Sequence, residues 1–177
     1  KGNGDAVAKM AEKGKSQFVG PEIKGKTLGV IGLGAIGGLV ANAAAELGMK
    51  VLGYDPFVSV DAAWRLSRAV KKAESLEQLM AQSDVITLHV PQIDSTKGMI
   101  NKDSIASMKD GVIILNFARG GLVKNQDIIE ACASGKVYKY ATDFADDALI
   151  GAKGVVVLPH LGASTPESED NCAAMAS

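Results

Sequence analysis

The chain has 177 residues, a net charge of −1 and 47% hydrophobic residues, enough for one domain with a sizeable core. Near-neutral charge leaves no electrostatic footprint for nucleic acid or an anionic membrane surface, and no apolar run is long enough to span a bilayer. Cys132 and Cys172 lie far apart without metal-ligand spacing, so no metal is expected and a reducing, cytoplasmic setting is the natural inference.

In chain order, residues 1–17 read as one helix with an Ala/Val/Met stripe, followed by a loop through Gly20-Pro21. A short apolar strand over 27–31 then runs into Gly32-Leu33-Gly34-Ala35-Ile36-Gly37, a G-x-G-x-x-G. Gly32 permits the tight turn out of the strand. Gly34, lacking a Cβ, lets backbone approach a pyrophosphate, and Gly37 lets the next helix pack on the strand. The N–H groups of Ala35, Ile36 and Gly37 open that helix and offer donors at the positive end of its dipole. Its apolar spacing is Ile36, Val40, Ala43 and Leu47, and Gly48 supplies the stop. Asp55 closes the next strand, 50–54, where its carboxylate would accept from a ribose and repel a 2′-phosphate, favouring NAD over NADP. Three glycines so spaced also mark any tight strand-to-helix turn; the flanking strand, helix and Asp55 tip the reading to a dinucleotide.

Strands follow near 70–73, 85–89, 112–115, 137–142 and 155–158, separated by helices from about Ser75, from about Lys102, and from Asn125 to Ser134. Cys132 falls on the apolar face of the last of these, where a buried thiol is the simple reading. Continuous apolar runs such as Val85-Ile86-Thr87-Leu88 imply burial on both faces. The expected fold is α/β, a doubly wound, mostly parallel sheet of the Rossmann type. Thr165 to Ser177 opens with a helix-start signal and stops mid-helix, so the chain is expected to continue.

The two histidines, His89 and His160, both fall at carboxyl ends of strands, the ligand edge of an open α/β sheet. A strand-end histidine is more often structural than catalytic, and position alone does not decide for His160. Arg119, beside Gly120-Gly121, has the chemistry to hold a carboxylate through two parallel hydrogen bonds, or to be an ordinary loop arginine. Asp143, Asp146 and Asp147 follow the next strand; one could orient a histidine, or all could be solvated.

The segments GVIGLGAIG, GYDP, LHVP, NFARGG and PHLGAST together resemble the NAD-dependent D-2-hydroxyacid dehydrogenases, from about Gly25 to Ala174. The run Pro159 to Thr165 is most similar to the D-3-phosphoglycerate dehydrogenases of serine synthesis. The resemblance implies His160 as general acid/base, Arg119 as the carboxylate and carbonyl ligand, and an acid three residues after a Phe as the histidine's partner. Counting from Phe144, that acid is Asp147, an aspartate where the family carries glutamate. The family's Asp-Val-Phe is one residue short here. Alignment by the strand makes Asp143 the acceptor for the nicotinamide carboxamide, whereas alignment by Phe144 points to Thr142. The resemblance also places Val90, Pro91, Thr96, Ala118 and Gly162 around the cofactor and makes His89 a supporting residue.

It further implies an interdomain helix and linker over 1–20, an NAD-binding domain over 21–163 and the start of a second interdomain helix over 164–177. The substrate domain would then be missing, and the chain would bind NAD but turn over a small 2-hydroxyacid poorly. A homodimer through the cofactor domain is implied too. The alternatives are a sister enzyme acting on glyoxylate, hydroxypyruvate or D-lactate, or an NAD-sensing corepressor-like module.

Overall fold

The computed structural model describes residues 4–162 and 164–176; Lys1 to Asn3, Ala163 and Ser177, which the expected terminal helices and the PHLGAST segment include, lie outside the described residues. Seven strands form one sheet: β1 (Thr27–Ile31), β2 (Lys50–Tyr54), β3 (Val70–Lys72), β4 (Val85–Leu88), β5 (Val112–Asn116), β6 (Val137–Thr142) and β7 (Val155–Val157). Their order is β3-β2-β1-β4-β5-β6-β7, and every pairing is parallel. The expectation of a doubly wound sheet is met. The order of strand addition reverses between β1 and β4, which puts a crevice at their carboxyl ends.

The helices are α1 (Gly4–Gly14), α2 (Ala35–Glu46), α3 (Val60–Trp64), α4 (Leu76–Gln82), α5 (Lys102–Ser107), α6 (Asn125–Ser134) and α7 (Pro166–Ala176). Polar caps start four of them, with Thr165 accepting the Ser168 N–H at the head of α7. Ser59 accepts from the Ala62 N–H, Ser75 from Gln78, and Asn101 forms a capping box with Ser104. The helix expected over 1–17 divides into α1 and a 3₁₀ turn, Lys15–Phe18. The periodicity did not announce α3 or the 3₁₀ turn Gly120–Leu122, both too short to carry an apolar period.

Two apolar layers cover the sheet. Leu28, Val30 and Val51 pack with Ala41 and Ala44 of α2 on one face. Ile31, Ile86, Leu88 and Ile114 pack with Leu79 of α4 and Ile128 and Cys132 of α6 on the other. Each fully buried aliphatic side chain contributes roughly 1.5–3 kcal/mol. Cys132 is buried, as its place on α6 implied.

The expected stripe on α2 needs correction. Ile36 and Leu47 are 68% and 62% exposed, while the face on the sheet is Gly37, Ala41 and Ala44. Small residues win that face because α2 runs too close to β1 for larger ones. Gly48 ends the helix as expected, at φ +83°, with its N–H on Ala45 O and the Met49 N–H on Ala44 O, a Schellman closure.

A Cβ on residue 37 would overlap the Gly32 carbonyl oxygen, whereas residue 47 faces solvent. Gly37→Ala is expected to cost about 3 kcal/mol or more in urea unfolding. Leu47→Ser should stay within about 0.5 kcal/mol.

Candidate functional site

At the crevice, β1 turns sharply through Gly32, which adopts φ +92° and lies so close to His89 that a Cβ would sit 2.5 Å from the His89 carbonyl oxygen. Gly34 is the N-cap of α2 and provides no side-chain acceptor, so the first N–H groups of the helix, at Ala35, Ile36 and Gly37, keep their donors for a ligand. Space opposite Gly34 is open: a Cβ there meets no atom within 4 Å. An anion has room at this helix start, and the donors it needs converge there.

Asp55 follows β2 beside this turn. Its Oδ2 accepts the Leu33 N–H and its Oδ1 the Phe57 N–H, both at 2.9 Å. The carboxylate therefore fixes the glycine turn to the β2 edge, and each oxygen keeps a lone pair for a ribose hydroxyl. A cleft of about 410 Å³ opens here, with Leu33, Tyr54, Asp55 and Pro56 in its wall.

On the β4 side, Val90 packs against Gly32. The Thr96 hydroxyl donates to Pro91 O at 2.6 Å and accepts from the Ile93 N–H, so it shapes the loop that carries Pro91. His89 lies partly buried under the turn with Nε2 3.0 Å from Thr87 Oγ1. Burial holds its pKa below the ordinary 6.5.

The second half of the site comes from the carboxyl ends of β5, β6 and β7, which are neighbours in the sheet. Asn116 ends β5 fully buried. Its Oδ1 accepts the Ala118 N–H at 3.3 Å, and its Nδ2 donates to Arg119 O at 3.0 Å and to the Tyr140 hydroxyl at 3.3 Å. This residue sets the loop that presents exposed Arg119, whose Nη1 rests on Ala118 O at 2.6 Å. Sequence reasoning passed over Asn116. The available signal was a polar residue ending the otherwise apolar run Val112-Ile113-Ile114-Leu115.

From β7, His160 reaches Asp143, with Nδ1 2.9 Å from Oδ2. The His160 side chain is 59% exposed and that of Asp143 only 12%. Phe144 stacks at a tilt on His160, ring centroids 5.2 Å apart, and packs on Gly120 beside Arg119. Phe144 thus joins the arginine loop to the histidine. Gly162 follows in open space.

Asp147 is not the histidine's partner in this structure. Its exposed carboxylate makes no hydrogen bond or ion pair among the described residues. The segment turns at Asp146, whose backbone oxygen accepts the Leu149 and Ile150 N–H groups, and buried Leu149 anchors that turn. Thr142, the alternative contact for a carboxamide, is fully buried and its Oγ1 accepts the Phe144 N–H.

A parallel sheet with a glycine turn, an open helix start and an acidic residue beside it defines a dinucleotide-binding domain. Residues 3–162 match the family model "D-isomer specific 2-hydroxyacid dehydrogenase, NAD binding domain". The chain belongs to that family, and its cofactor is NAD. The D-3-phosphoglycerate dehydrogenase of Archaeoglobus fulgidus is 42% identical over 174 residues, covering 94% of this chain and 32% of the relative. The hydroxypyruvate reductase of Blautia hydrogenotrophica is 42% identical over 154 residues, 83% of this chain and 47% of its own length. The D-lactate dehydrogenase of Aquifex aeolicus, solved with NAD and lactic acid, superposes with TM-score 0.76 at 31% identity, covering 92% of this chain and 57% of that one. The chain spans about a third of the length of the phosphoglycerate dehydrogenases it matches.

Because the space over Gly34 accepts a methyl group, Gly34→Ala should leave unfolding unchanged yet weaken NAD about tenfold by calorimetry, the methyl standing where the phosphate must come.

His89 gives the fold a pH dependence. Its folded pKa is depressed, so the unfolded chain binds the proton first and protonation favours unfolding. Unfolding free energy should therefore hold above pH 6.5 and decline as pH falls through it, and His89→Gln should flatten that decline.

Proposed function

We propose that the chain is the cofactor half of a D-3-phosphoglycerate dehydrogenase, which oxidises 3-phosphoglycerate to 3-phosphohydroxypyruvate in serine biosynthesis. The observation that carries this reading is that Arg119 and His160 share one sheet edge, joined through Phe144, beside the dinucleotide turn. Identity of 38–45% to phosphoglycerate dehydrogenases supports the substrate choice.

NAD, when bound, supplies the acceptor for the hydride. Arg119 binds the substrate carboxylate and polarises the oxygen on the reacting carbon. His160 takes the hydroxyl proton as the C–H electron pair leaves, and returns it in reduction. Asp143 would accept from the nicotinamide carboxamide N–H through its unpartnered Oδ1, and Val90, Pro91, Thr96, Ala118 and Gly162 would line the cofactor.

In this reading α1 and α7 are interdomain helices. The exposure of Val7 and Met10 on α1, 53% and 72%, leaves an apolar stripe for a neighbouring domain to cover. The protein works in the cytoplasm as a homodimer through this domain. No helix among the described residues is long and apolar enough to cross a membrane.

A second reading, a sister enzyme acting on another small 2-hydroxyacid, is favoured by the equal identity to a hydroxypyruvate reductase. NADH oxidation by the protein carrying this chain, measured across a panel of 2-oxoacids, separates the two. Preference for phosphohydroxypyruvate is expected, and its loss to another oxoacid overturns the first reading. His160→Gln should lower turnover by about 10²–10⁴ while NAD affinity holds. Undiminished turnover would remove His160 from this mechanism.

A further inference from the structure

We infer that Asp143, and not Asp147, is the residue that positions His160. Asp143 Oδ2 stands 2.9 Å from His160 Nδ1, the length of a charge-assisted hydrogen bond. The rest of the Asp143 carboxylate is committed to nothing else: Oδ1 is buried without a hydrogen-bond partner among the described residues. Among the described residues His160 is therefore its one hydrogen-bond partner.

The backbone makes the contact reproducible. Thr142 is fully buried at the end of β6 and holds the Phe144 N–H, so residue 143 is fixed from both sides. Phe144, wedged against Gly120, walls one side of the imidazole. Asp147 has none of this support. It lies exposed within the turn that Leu149 anchors, and an arm one methylene shorter than glutamate makes any reach to His160 harder.

The chemical consequence follows from the donor inventory. An ionised carboxylate only accepts, so the imidazole proton must sit on Nδ1. Nε2 is left with its lone pair for the substrate hydroxyl proton, the base that the reading under Proposed function requires. When Nε2 takes that proton, Asp143 faces the resulting imidazolium and stabilises it.

The test is read first without cofactor, so that any role of Asp143 toward the carboxamide does not enter. The chain holds only two histidines, which makes ¹⁵N–¹H correlation of the imidazole nitrogens at pH 8 simple to assign. His160 should carry its proton on Nδ1. Asp143→Ala should move it away from Nδ1, and Asp147→Ala should leave it there. If Asp143→Ala does not fold, Asp143→Asn keeps the volume with a neutral acceptor, and the Nδ1–H signal should move upfield.

In the protein carrying this chain, Asp143→Asn should lower kcat about 10²-fold with substrate KM little changed. Asp143→Glu should recover part of that loss, and Asp147→Ala should stay within about twofold of the parent. A His160 tautomer unmoved by Asp143→Ala overturns the inference, as does one moved by Asp147→Ala. A wrong substrate assignment would show in the oxoacid panel and leave the tautomer readings as they are.

Discussion

The site depends on how closely α2 approaches β1. Gly37 lies directly on the carbonyl of Gly32, at a separation that excludes any side chain. That contact fixes where the helix begins, and so where its unpaired N–H groups point. It also explains the small residues along the helix face: Ala41 and Ala44 continue the close approach that Gly37 starts. Asp55 secures the turn from the other side by holding the Leu33 N–H. The anion site is thus rigid before any ligand arrives, and its ordering cost is met in folding rather than in binding.

The other half of the edge rests on a buried polar scaffold. Asn116 holds the arginine loop through Ala118 and Arg119 and reaches across to Tyr140 on β6. Burial raises the Tyr140 phenol above its usual range, with hydrogen bonds from Asn116 and Thr142 opposing. Tyr140 therefore stays neutral, and the scaffold under the site carries no charge. A neutral, fully paired network avoids the several kcal/mol that a buried ion would cost. Charge appears only above it, on Arg119 and Asp143, beside the His160 imidazole.

Much of this was legible in the sequence because strands buried on both faces and glycines under steric constraint leave strong local signals. All seven strands fall within a residue or so of the apolar runs that announce them. Gly32 makes the tight turn and Gly37 the close helix packing that their spacing implied. The α2 stripe misled, since apolar periodicity cannot tell a face packed by alanine and glycine from an outer face carrying Ile36 and Leu47. Asn116 left only a faint signal, a polar residue closing an apolar run, because its bond to Tyr140 joins residues far apart in the chain. In the structure His160 contacts Asp143 and not Asp147, since counting residues from Phe144 assumes a loop geometry that the turn at Asp146 does not keep.

That difference has a physical cause in how the two aspartates are held. Distance along a loop matters less than which residue leaves the sheet edge with its backbone fixed. Asp143 departs β6 where Thr142 is buried and Phe144 is pinned, so little side-chain entropy remains to be lost in holding His160. Asp147 would have to break the turn that Asp146 and Leu149 hold to do the same. The imidazole itself stays open to solvent, which screens the pair. Any surface that closes over His160 and excludes water strengthens its bond to Asp143 and the pull of Arg119 on the substrate together. The geometry is therefore set by this domain, while the strength of the electrostatics is set by whatever covers it.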